Sequence, residues 1–515
     1  MSPEWIVTPR TAAAGVAEGA SADTYSASAL STIAGLAVVG AVVLCLPPHE
    51  DEPPPAPARG GAFAWDRDAY WHALEQRFAA ARAEGCVSIA PRTAREISTL
   101  DARLRAMAAR PLAADDSAFD LRDRASCVLG TDIAACPEHE REYLALLPRL
   151  RDMVKDQSVR WDPAALATRR RLYVSLYGAR AASEEVLIQH PDSALALYVS
   201  ADAPSATPAA AVRGVTIHSG DILVSRGGYP TSALIARGND YPGNFSHVAL
   251  AHVDSMTHAV SVIEAHIERG VAISSAEQYL ADKKLRVMVM RPRDDLPALV
   301  RDPMLPHRAA SAMLARARRA HIPYDFAMDY HDTTALFCSE VASTAYAGRG
   351  LRLWSGPSTI TEAGLRRWLA SFGVRHFETE EPSDIEYDPQ LFVAAEWRDP
   401  AQLLRDHIDN AVIDVMLEGA SRGDAIRYVW YRLPLYRLAK AYSVVLNAFG
   451  TVGPIPEGMS AAAALRNTAF SERQRALAAA TAQRAAEHTR REGYPPPYWR
   501  LVALAREAAR ADSAR

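Results

Sequence analysis

Two stretches of the sequence carry residue types that together perform nucleophilic catalysis. The first, FSHVALAH over residues 245–252, reads as a strand that begins near His247. Side chains alternate along a strand, so His247 shares a face with Ala249 and Ala251. The second stretch, HDTTALFCSEVASTAYAG, contains Cys338. A cysteine beside an imidazole is a nucleophile for acyl carbon when its pKa is lowered. Each residue alone also has an ordinary interpretation, as a hydrogen-bonded histidine or a small buried hydrophobe.

The residues around Cys338 predict a helix that would activate its thiol. Asp332, Thr333 and Thr334 are residues that cap helix N-termini, and no Gly or Pro interrupts before Gly348. Cys338 is therefore expected in the first turns, where the helix dipole and free N–H groups stabilise a thiolate. The alanines beside His247 are expected to leave room for this helix to approach.

A third stretch, VIEAHIERG over 262–270, offers a group that could orient the imidazole. Glu264 lies between isoleucine and alanine on a predicted strand, and burying it there costs several kcal/mol unless it is paired. A hydrogen bond to His247 would meet that requirement and set the imidazole tautomer. Two alternatives remain open: Glu264 is solvated on an edge strand, or His266 is the third member. Other histidines fit less well, since His252 points to the opposite face and His258 falls in a turn.

Composition excludes several classes of protein. The chain has 515 residues, 49% hydrophobic and 23% charged, and is globular rather than disordered. Its net charge of -4 leaves no basic field for nucleic acid. The motifs GxxxxGK[ST], HExxH, CxxC and GxSxG are absent. The five cysteines indicate neither a metal cluster nor a disulfide framework, although Cys127 and Cys136 could pair in an oxidising compartment. Two free thiols there are the alternative.

The amino-terminal part predicts a membrane anchor. The run ALSTIAGLAVVGAVVLCL, over 29–46, is uncharged and about as long as a helix that spans a bilayer. A proline-rich stretch follows and reads as a solvated tether. An uncleaved single-pass anchor in a bacterial-type inner membrane is favoured over a signal peptide, and the globular part is expected in the periplasm.

Hydrophobic periodicity divides the rest of the chain into three parts. Apolar residues at three- and four-residue intervals predict helices up to about residue 200. Short alternating segments from about 212 predict a largely antiparallel sheet with two following helices, hence an α+β domain. The stretch RYVWYRLPLYRLAKAYSVVLNAFG is interpreted as part of a helix pair docked on that domain, with a membrane-surface helix as the alternative. The predicted divisions are an N-terminal tail (1–28), a transmembrane anchor (29–48), a tether (49–62), a helical domain (63–205), a catalytic domain (206–400) and a helical C-terminal region (401–515).

Four segments resemble one known family. GDILVSRG, FSHVALAHV, VIEAHIERG and YDFAMDYHDTTALFCSEVASTAY, in this order, resemble the permuted papain-like amidases of the YaeF/YiiX type, relatives of the NlpC-type cell-wall peptidases. In that family the histidine strand precedes the cysteine helix. The resemblance covers about residues 212–400. It implies Cys338 as nucleophile, His247 as base and Glu264 as the orienting acid, with Tyr324, Asp325 and Ser339 as candidates near the substrate or oxyanion.

The sequence therefore predicts a membrane-anchored cysteine hydrolase with a circularly permuted papain-like core. Its substrate would carry an amide or peptide-like bond, as in a small acyl-amide, a peptide or a peptidoglycan-derived molecule. No cofactor or metal is implied. The alternatives are a lipid ester hydrolase or acyltransferase of the same fold, and a non-catalytic binding scaffold.

Overall fold

The structure is a computed structural model, and it describes Leu44, Leu46 and residues 53–57, 61–63, 69–192, 196–201, 203–354 and 356–513. The predicted tail and all of the predicted anchor except those two leucines lie outside the described residues. No helix in the described ranges has both the length and the apolar character needed to cross a membrane.

Among the described residues, helices predominate in 69–189 and 400–513 and pack against the sheet between them. The helices are α1 (Ala69–Glu84), α2 (Cys86–Ala108), α3 (Ser117–Ala135), α4 (Glu140–Ser158), α5 (Leu166–Leu172), α6 (Gly178–Gln189), α7 (Pro230–Arg237), α8 (Ala276–Ala281), α9 (Pro297–Arg301), α10 (Leu305–Arg319), α11 (Cys338–Ala347), α12 (Ala363–Phe372), α13 (Pro400–Ser421), α14 (Leu433–Ala448), α15 (Ala461–Glu492) and α16 (Tyr498–Ser513). Short non-α turns occupy Pro137–His139, Tyr173–Tyr177, Pro382–Tyr387 and Trp430–Arg432.

An antiparallel sheet of seven strands lies at the centre of the molecule. The described residues form this sheet and two separate strand pairs. Together their strands are β1 (Leu197–Val199), β2 (Ala209–Val212), β3 (Val215–His218), β4 (Ile222–Gly227), β5 (His247–Val253), β6 (Val260–His266), β7 (Gly270–Ser275), β8 (Lys284–Pro292), β9 (Ser358–Thr359), β10 (Glu378–Thr379) and β11 (Leu391–Arg398). The order in the main sheet is β1-β11-β8-β4-β5-β6-β7, while β2–β3 and β9–β10 form separate pairs. The α+β class and the alternating segments predicted from the sequence are confirmed.

The two faces of the sheet bury different sets of side chains. Val248 and Leu250 of β5 pack with residues of α10 and α11 in one core. Ala249 and Ala251 belong to a second core on the other face, where Tyr279 of α8 and the β2–β3 pair cover the sheet. Each fully buried aliphatic side chain contributes about 1.5–3 kcal/mol to folding. The expectation that the two alanines make room for the cysteine helix is therefore wrong, since α11 packs on the valine and leucine side.

A network of buried charges joins the helices to the sheet. Glu184 of α6 accepts hydrogen bonds from Arg286 of β8 at 3.0 Å and from His407 of α13 at 3.1 Å. Asp406, the residue before His407 on α13, lies 2.7 Å from Arg286 and 3.1 Å from Arg226 of β4. All five residues are buried. A buried charge is stable only when it is paired, so these contacts tie α6, the sheet and α13 to one another.

The short strand β1 departs from the predicted helical character of residues up to 200. Its three residues pair with β11 at the edge of the sheet. A segment this short contains too few residues to show the two-residue alternation by which strands are recognised.

A disulfide links Cys86 and Cys136, whose Cα atoms are 5.3 Å apart. The predicted Cys127–Cys136 pairing is therefore wrong. Cys86 begins α2 and Cys136 directly follows α3, and these two helices pack side by side. Cys127 lies within α3, where a rigid helix holds its side chain away from the end at which Cys136 is placed.

Removal of this disulfide should destabilise the helical region. The bridge closes a loop between residues 50 positions apart. Restricting an unfolded chain over such a loop stabilises the folded state by about 4 kcal/mol at most. Cys86→Ser is expected to lower the free energy of unfolding by about 2–4 kcal/mol, measured by denaturant titration without reductant. Cys127→Ser is the matched control, and an equal loss in that variant would contradict the assigned pairing.

Candidate active site

His247 begins β5 and its ring is held by the neighbouring strand. The imidazole Nε2 lies 2.8 Å from Oε2 of Glu264, with the two side chains 17% and 4% exposed. The register explains the contact, because Ala249 is paired with Glu264 across β5 and β6 and His247 is one step diagonal to it. This contact occupies Nε2 and leaves Nδ1 of His247 for another partner.

Glu264 is buried and surrounded by hydrogen-bond donors. Oε1 accepts a hydrogen bond from the Ser274 hydroxyl at 3.1 Å and lies 3.3 Å from Nε2 of His266. Burial alone would raise the pKa of Glu264, but the hydrogen bonds from His247 and His266 outweigh it and hold that pKa far below its ordinary value. The carboxylate is thus ionised. A solvated edge position is excluded, since β6 lies between β5 and β7.

The neutral form of His247 is favoured at ordinary pH. Burial lowers the pKa of His247, and the hydrogen bond to Glu264 opposes this only in part. His266 contacts the other oxygen of the same carboxylate. The structure therefore brings together three of the residues that the sequence singled out around one carboxylate.

Cys338 is the first residue of α11 and is 3% exposed. Its Sγ faces the start of β5, where it lies 3.9 Å from the carbonyl oxygen of Ser246. The backbone N–H groups of Val248 and Ser339 lie close enough to the sulfur to favour its ionised form. Ser246 and Val248 flank His247 in the chain, so the thiol lies against the backbone that carries the imidazole.

The start of α11 differs from the prediction. Asp332 accepts a hydrogen bond from the Thr334 N–H at 2.9 Å and closes a local turn rather than capping the helix. The helix begins four residues later, where the Glu340 carboxylate accepts a hydrogen bond from the Phe337 N–H at 2.8 Å. Cys338 therefore occupies the first helical position itself.

The predicted lowering of the thiol pKa is also wrong for this structure. Burial raises the pKa of Cys338 to about 12, and the N–H donors from Val248 and Ser339 do not compensate. The buried carboxyl of Glu381 adds to this effect. The resting site thus contains a protonated thiol, and forming a thiolate requires a base to take the proton.

The remaining candidates lie on or beside the loop that leads to α11. Tyr324 is partly buried near Cys338 and Glu340, and burial holds the pKa of its phenol well above the ordinary value. Asp325 accepts hydrogen bonds from the N–H groups of Ala327 and Asp329 at 2.7 and 2.6 Å, so it braces this loop. Ser339 is fully buried, at the second position of α11.

Three residues that the sequence reasoning did not select also lie near the site. Tyr279 of α8 is buried close enough to Glu264 and Cys338 for their charges to raise the pKa of its phenol further, after burial. The Lys284 ammonium lies 4.5 Å from the centre of the Tyr279 ring and 3.1 Å from Asp282. Ser225 also points to this region, opposite His247 across β4 and β5. Alternation along GDILVSRG could have indicated Ser225, whereas nothing local indicates Tyr279.

The alternative histidines lie where the sequence placed them. His252 contacts the hydroxyl of Ser311 on α10 at 3.1 Å, on the opposite face from His247. His258 lies in the turn between β5 and β6 with a positive φ of 55°. In the ranges that the structure describes, no group of three or more His, Cys, Asp or Glu side chains is placed to hold a metal ion.

The fold and the site define a class. A histidine strand that precedes a cysteine helix, on an antiparallel sheet, is the arrangement of a papain-like amidase or hydrolase in permuted order. Residues 216–391 match the family model described as permuted papain-like amidase enzyme, YaeF/YiiX, C92 family. The predicted resemblance to this family is confirmed for that segment, which includes His247, Glu264 and Cys338.

The other comparisons add one structure. The crystal structure of metalloprotein yiiX from Escherichia coli O157:H7 is similar at 20% sequence identity and a TM-score of 0.27, covering 34% of this chain and 94% of that one. No curated protein matches the chain.

Proposed function

We propose that this protein is a membrane-anchored cysteine hydrolase that cleaves an amide or peptide-like bond. The observation that carries the proposal is the hydrogen bond of 2.8 Å between His247 and the buried Glu264, next to the backbone that Cys338 contacts. In this proposal Cys338 is the nucleophile, His247 the base and Glu264 the orienting acid. The predicted anchor at 29–48 and a periplasmic globular part belong to the same proposal.

The reaction begins with a neutral pair. The Cys338 thiol transfers its proton to Nδ1 of His247 as Sγ attacks the acyl carbon, which forms the C–S bond and places a negative charge on the substrate oxygen. Glu264 stabilises the imidazolium that this step creates, because its carboxylate stays ionised. His247 then gives the proton to the departing nitrogen as the C–N bond breaks. Water, deprotonated by His247, attacks the thioester and releases the acid and the thiol.

Donors for the developing oxyanion are available at the start of α11. The first N–H groups of a helix have no partner within the helix, and the Ser339 N–H belongs to the second residue of α11, close to Sγ. The Tyr324 phenol keeps its proton because burial raises its pKa, so it can donate a hydrogen bond. Asp325 holds the loop that carries Tyr324, which makes it a positioning residue.

The bond cleaved is expected to be an amide rather than a lipid ester. A protonated His247 assists a poor amine leaving group more than an alcohol, whose departure needs less help. Matched amide and ester substrates with one acyl group should be compared, each rate divided by its uncatalysed rate. The amide should show the greater acceleration. Greater acceleration of the ester across several acyl groups would instead support the lipid hydrolase or acyltransferase alternative.

Glu264→Gln is expected to reduce kcat/KM about 10²- to 10⁴-fold and to move the acid limb of the pH profile. Glu264 raises the pKa of His247 against the effect of burial. Removing its charge lets the pKa of His247 fall further, so the base stays unprotonated to lower pH and the acid limb shifts to lower pH. Ser274→Ala, which removes only a donor to the carboxylate, is the milder comparison. An acid limb that stayed in place or moved to higher pH in Glu264→Gln would argue against this role.

A non-catalytic scaffold is the second candidate, and the burial and high pKa of Cys338 favour it. An acyl-amide chloromethyl ketone and iodoacetamide separate the two functions. The measured quantity is the rate of labelling by the ketone divided by the rate of labelling by iodoacetamide. In a catalytic site this ratio should be higher at Cys338 than at Cys127. In a scaffold the ratio should be the same at both thiols. Cys127 is the reference thiol because Cys86 is bonded in the disulfide.

A further inference from the structure

The helix α14 and the residues next to it expose an unusual concentration of large apolar side chains. Half of the large apolar side chains that are exposed in the described ranges lie between residues 429 and 452. Six of them carry the argument: Trp430, Tyr431, Leu435, Leu438, Tyr442 and Phe449. The exposed fractions reach 64% for Trp430 and 80% for Phe449. We refer to residues 429–452 as the α14 surface.

The spacing shows that this exposure is organised. Leu435, Leu438 and Tyr442 follow one another at intervals of three and four residues, which places them on one stripe of the helix, and Phe449 follows seven residues later, directly after the last residue of α14. The opposite side of α14 supplies the contacts with α15, among them Tyr436, whose hydroxyl is 3.1 Å from that of Thr468. The predicted helix pair docked on the catalytic domain is not what the structure has here, because the stretch forms the single helix α14, which packs on α15 with its apolar stripe facing away from that contact. Such a concentration of exposed apolar side chains indicates a surface that is covered by a membrane or by another protein.

The charge of the same segment is one-sided. Arg427, Arg432, Arg437 and Lys440 are the charged residues between Asp424 and Glu457, although the whole chain has a net charge of -4. Cationic side chains beside an apolar stripe, with Trp and Tyr at its edge, match the headgroup region of an anionic bilayer. An apolar protein partner would give no reason for this excess of cations.

The chain itself connects this surface to the predicted anchor. The Arg437 guanidinium donates a hydrogen bond to the carbonyl oxygen of Leu46 at 2.6 Å. Leu46 is the last residue of the uncharged run 29–46. The end of the segment predicted to enter a bilayer therefore lies on α14, beside the exposed stripe.

We propose that the α14 surface docks on the bilayer, with its apolar stripe in the interfacial layer of the membrane that residues 29–46 are predicted to enter. This docking rests on the proposed anchor and does not depend on the catalytic role of Cys338.

Docking would also set the height of the active-site loop above the lipid. Lys440 of α14 donates to the carbonyl oxygens of Pro456 and Glu457 at 2.8 and 2.6 Å. The Glu457 carboxylate in turn lies 2.7 Å from His321, at the start of the loop that contains Tyr324. The loop and the α14 surface are thus held together by direct contacts.

Photo-crosslinking in the full-length protein tests the docking. The chain is reconstituted in vesicles of phosphatidylethanolamine and phosphatidylglycerol, with p-benzoylphenylalanine replacing Leu438 in one sample and Leu121 in the other. These two leucines are equally exposed, at 58% and 59%, and Leu121 lies on α3, outside the α14 surface. Lipid adducts at position 438 are expected to exceed those at position 121 at least about tenfold.

Crosslinked products other than lipid adducts would identify a different occupant of the α14 surface. Crosslinks from position 438 to a peptide within 29–46 would show that the chain covers its own stripe, and crosslinks between two chains would show a dimer. Either result, or a lipid yield no higher than at position 121, overturns the proposal. Leu438→Gln with Phe449→Gln provides a second measurement: protection of Arg437 and its neighbours from trypsin by the vesicles should be lost. Unchanged protection in that variant would also overturn it.

Discussion

Replacement of Cys338 by alanine is expected to abolish turnover while the protein remains folded. In the proposed mechanism the thiol forms the covalent bond, so no other contact replaces its contribution, and we expect kcat/KM to fall by at least about 10³-fold. The sulfur is small and packs at the first position of α11, so its loss should cost only about 1 kcal/mol of stability. Substrate hydrolysis and thermal unfolding, measured on the same sample, separate the two effects.

Cys127→Ala is the matched control for this prediction, because Cys127 lies outside the disulfide and far from the sheet in sequence and structure. That variant should retain its rate. Substantial hydrolysis by Cys338→Ala would show that another nucleophile performs the reaction and that the assigned site is wrong.

Replacement of His247 by alanine is expected to lower kcat/KM by a similar factor, at least about 10³-fold, because thiol and base act as one unit. The high pKa of Cys338 makes this dependence strong. With its pKa near 12, the thiol is almost entirely protonated at neutral pH unless His247 accepts the proton. Any residual rate in His247→Ala should therefore rise about tenfold per pH unit, as the free thiolate becomes more abundant. The wild-type acid limb should lie below the ordinary imidazole value, since burial lowers the pKa of His247.

His252→Ala offers a control on the same strand. His252 faces α10 and its hydroxyl partner Ser311 rather than Glu264. Loss of that contact should leave the rate within a few-fold of the wild type. If His252→Ala lost as much activity as His247→Ala, the base would have been assigned to the wrong side of the sheet.

The identities of the candidate residues could be predicted because their signals are local. Alternation along FSHVALAH and VIEAHIERG determines which side chains share a face, and a glutamate between isoleucine and alanine demands a partner. Neighbouring strands then bring His247 and Glu264 together, as the register shows. Local patterns of this kind depend only on residues a few positions apart, so they can be recognised from the sequence alone.

Other properties of the site depend on packing and could not be predicted. The pKa of Cys338 is raised by burial under elements that lie far away in sequence, including the segment that carries Glu381. The pairing of Cys86 with Cys136 depends on how α2 lies against α3. Asp332 and Thr334 have helix-capping chemistry, but the same chemistry closes a turn, and only the path of the loop decides between the two.

The buried charges that join α6, the sheet and α13 limit how this protein can be divided. Arg226 and Arg286 lie within the segment 216–391, while their partners Glu184 and Asp406 lie on either side of it. A fragment cut at those boundaries would keep two guanidinium groups without their carboxylates, and each unpaired buried charge costs about 3–5 kcal/mol. We therefore expect the part of the chain that resembles a known family to be less stable when it is cut out at those boundaries. Recombination, truncation or transplantation of the hydrolase should therefore keep both flanking helical regions. The stable folded unit is larger than the segment that carries the catalytic residues.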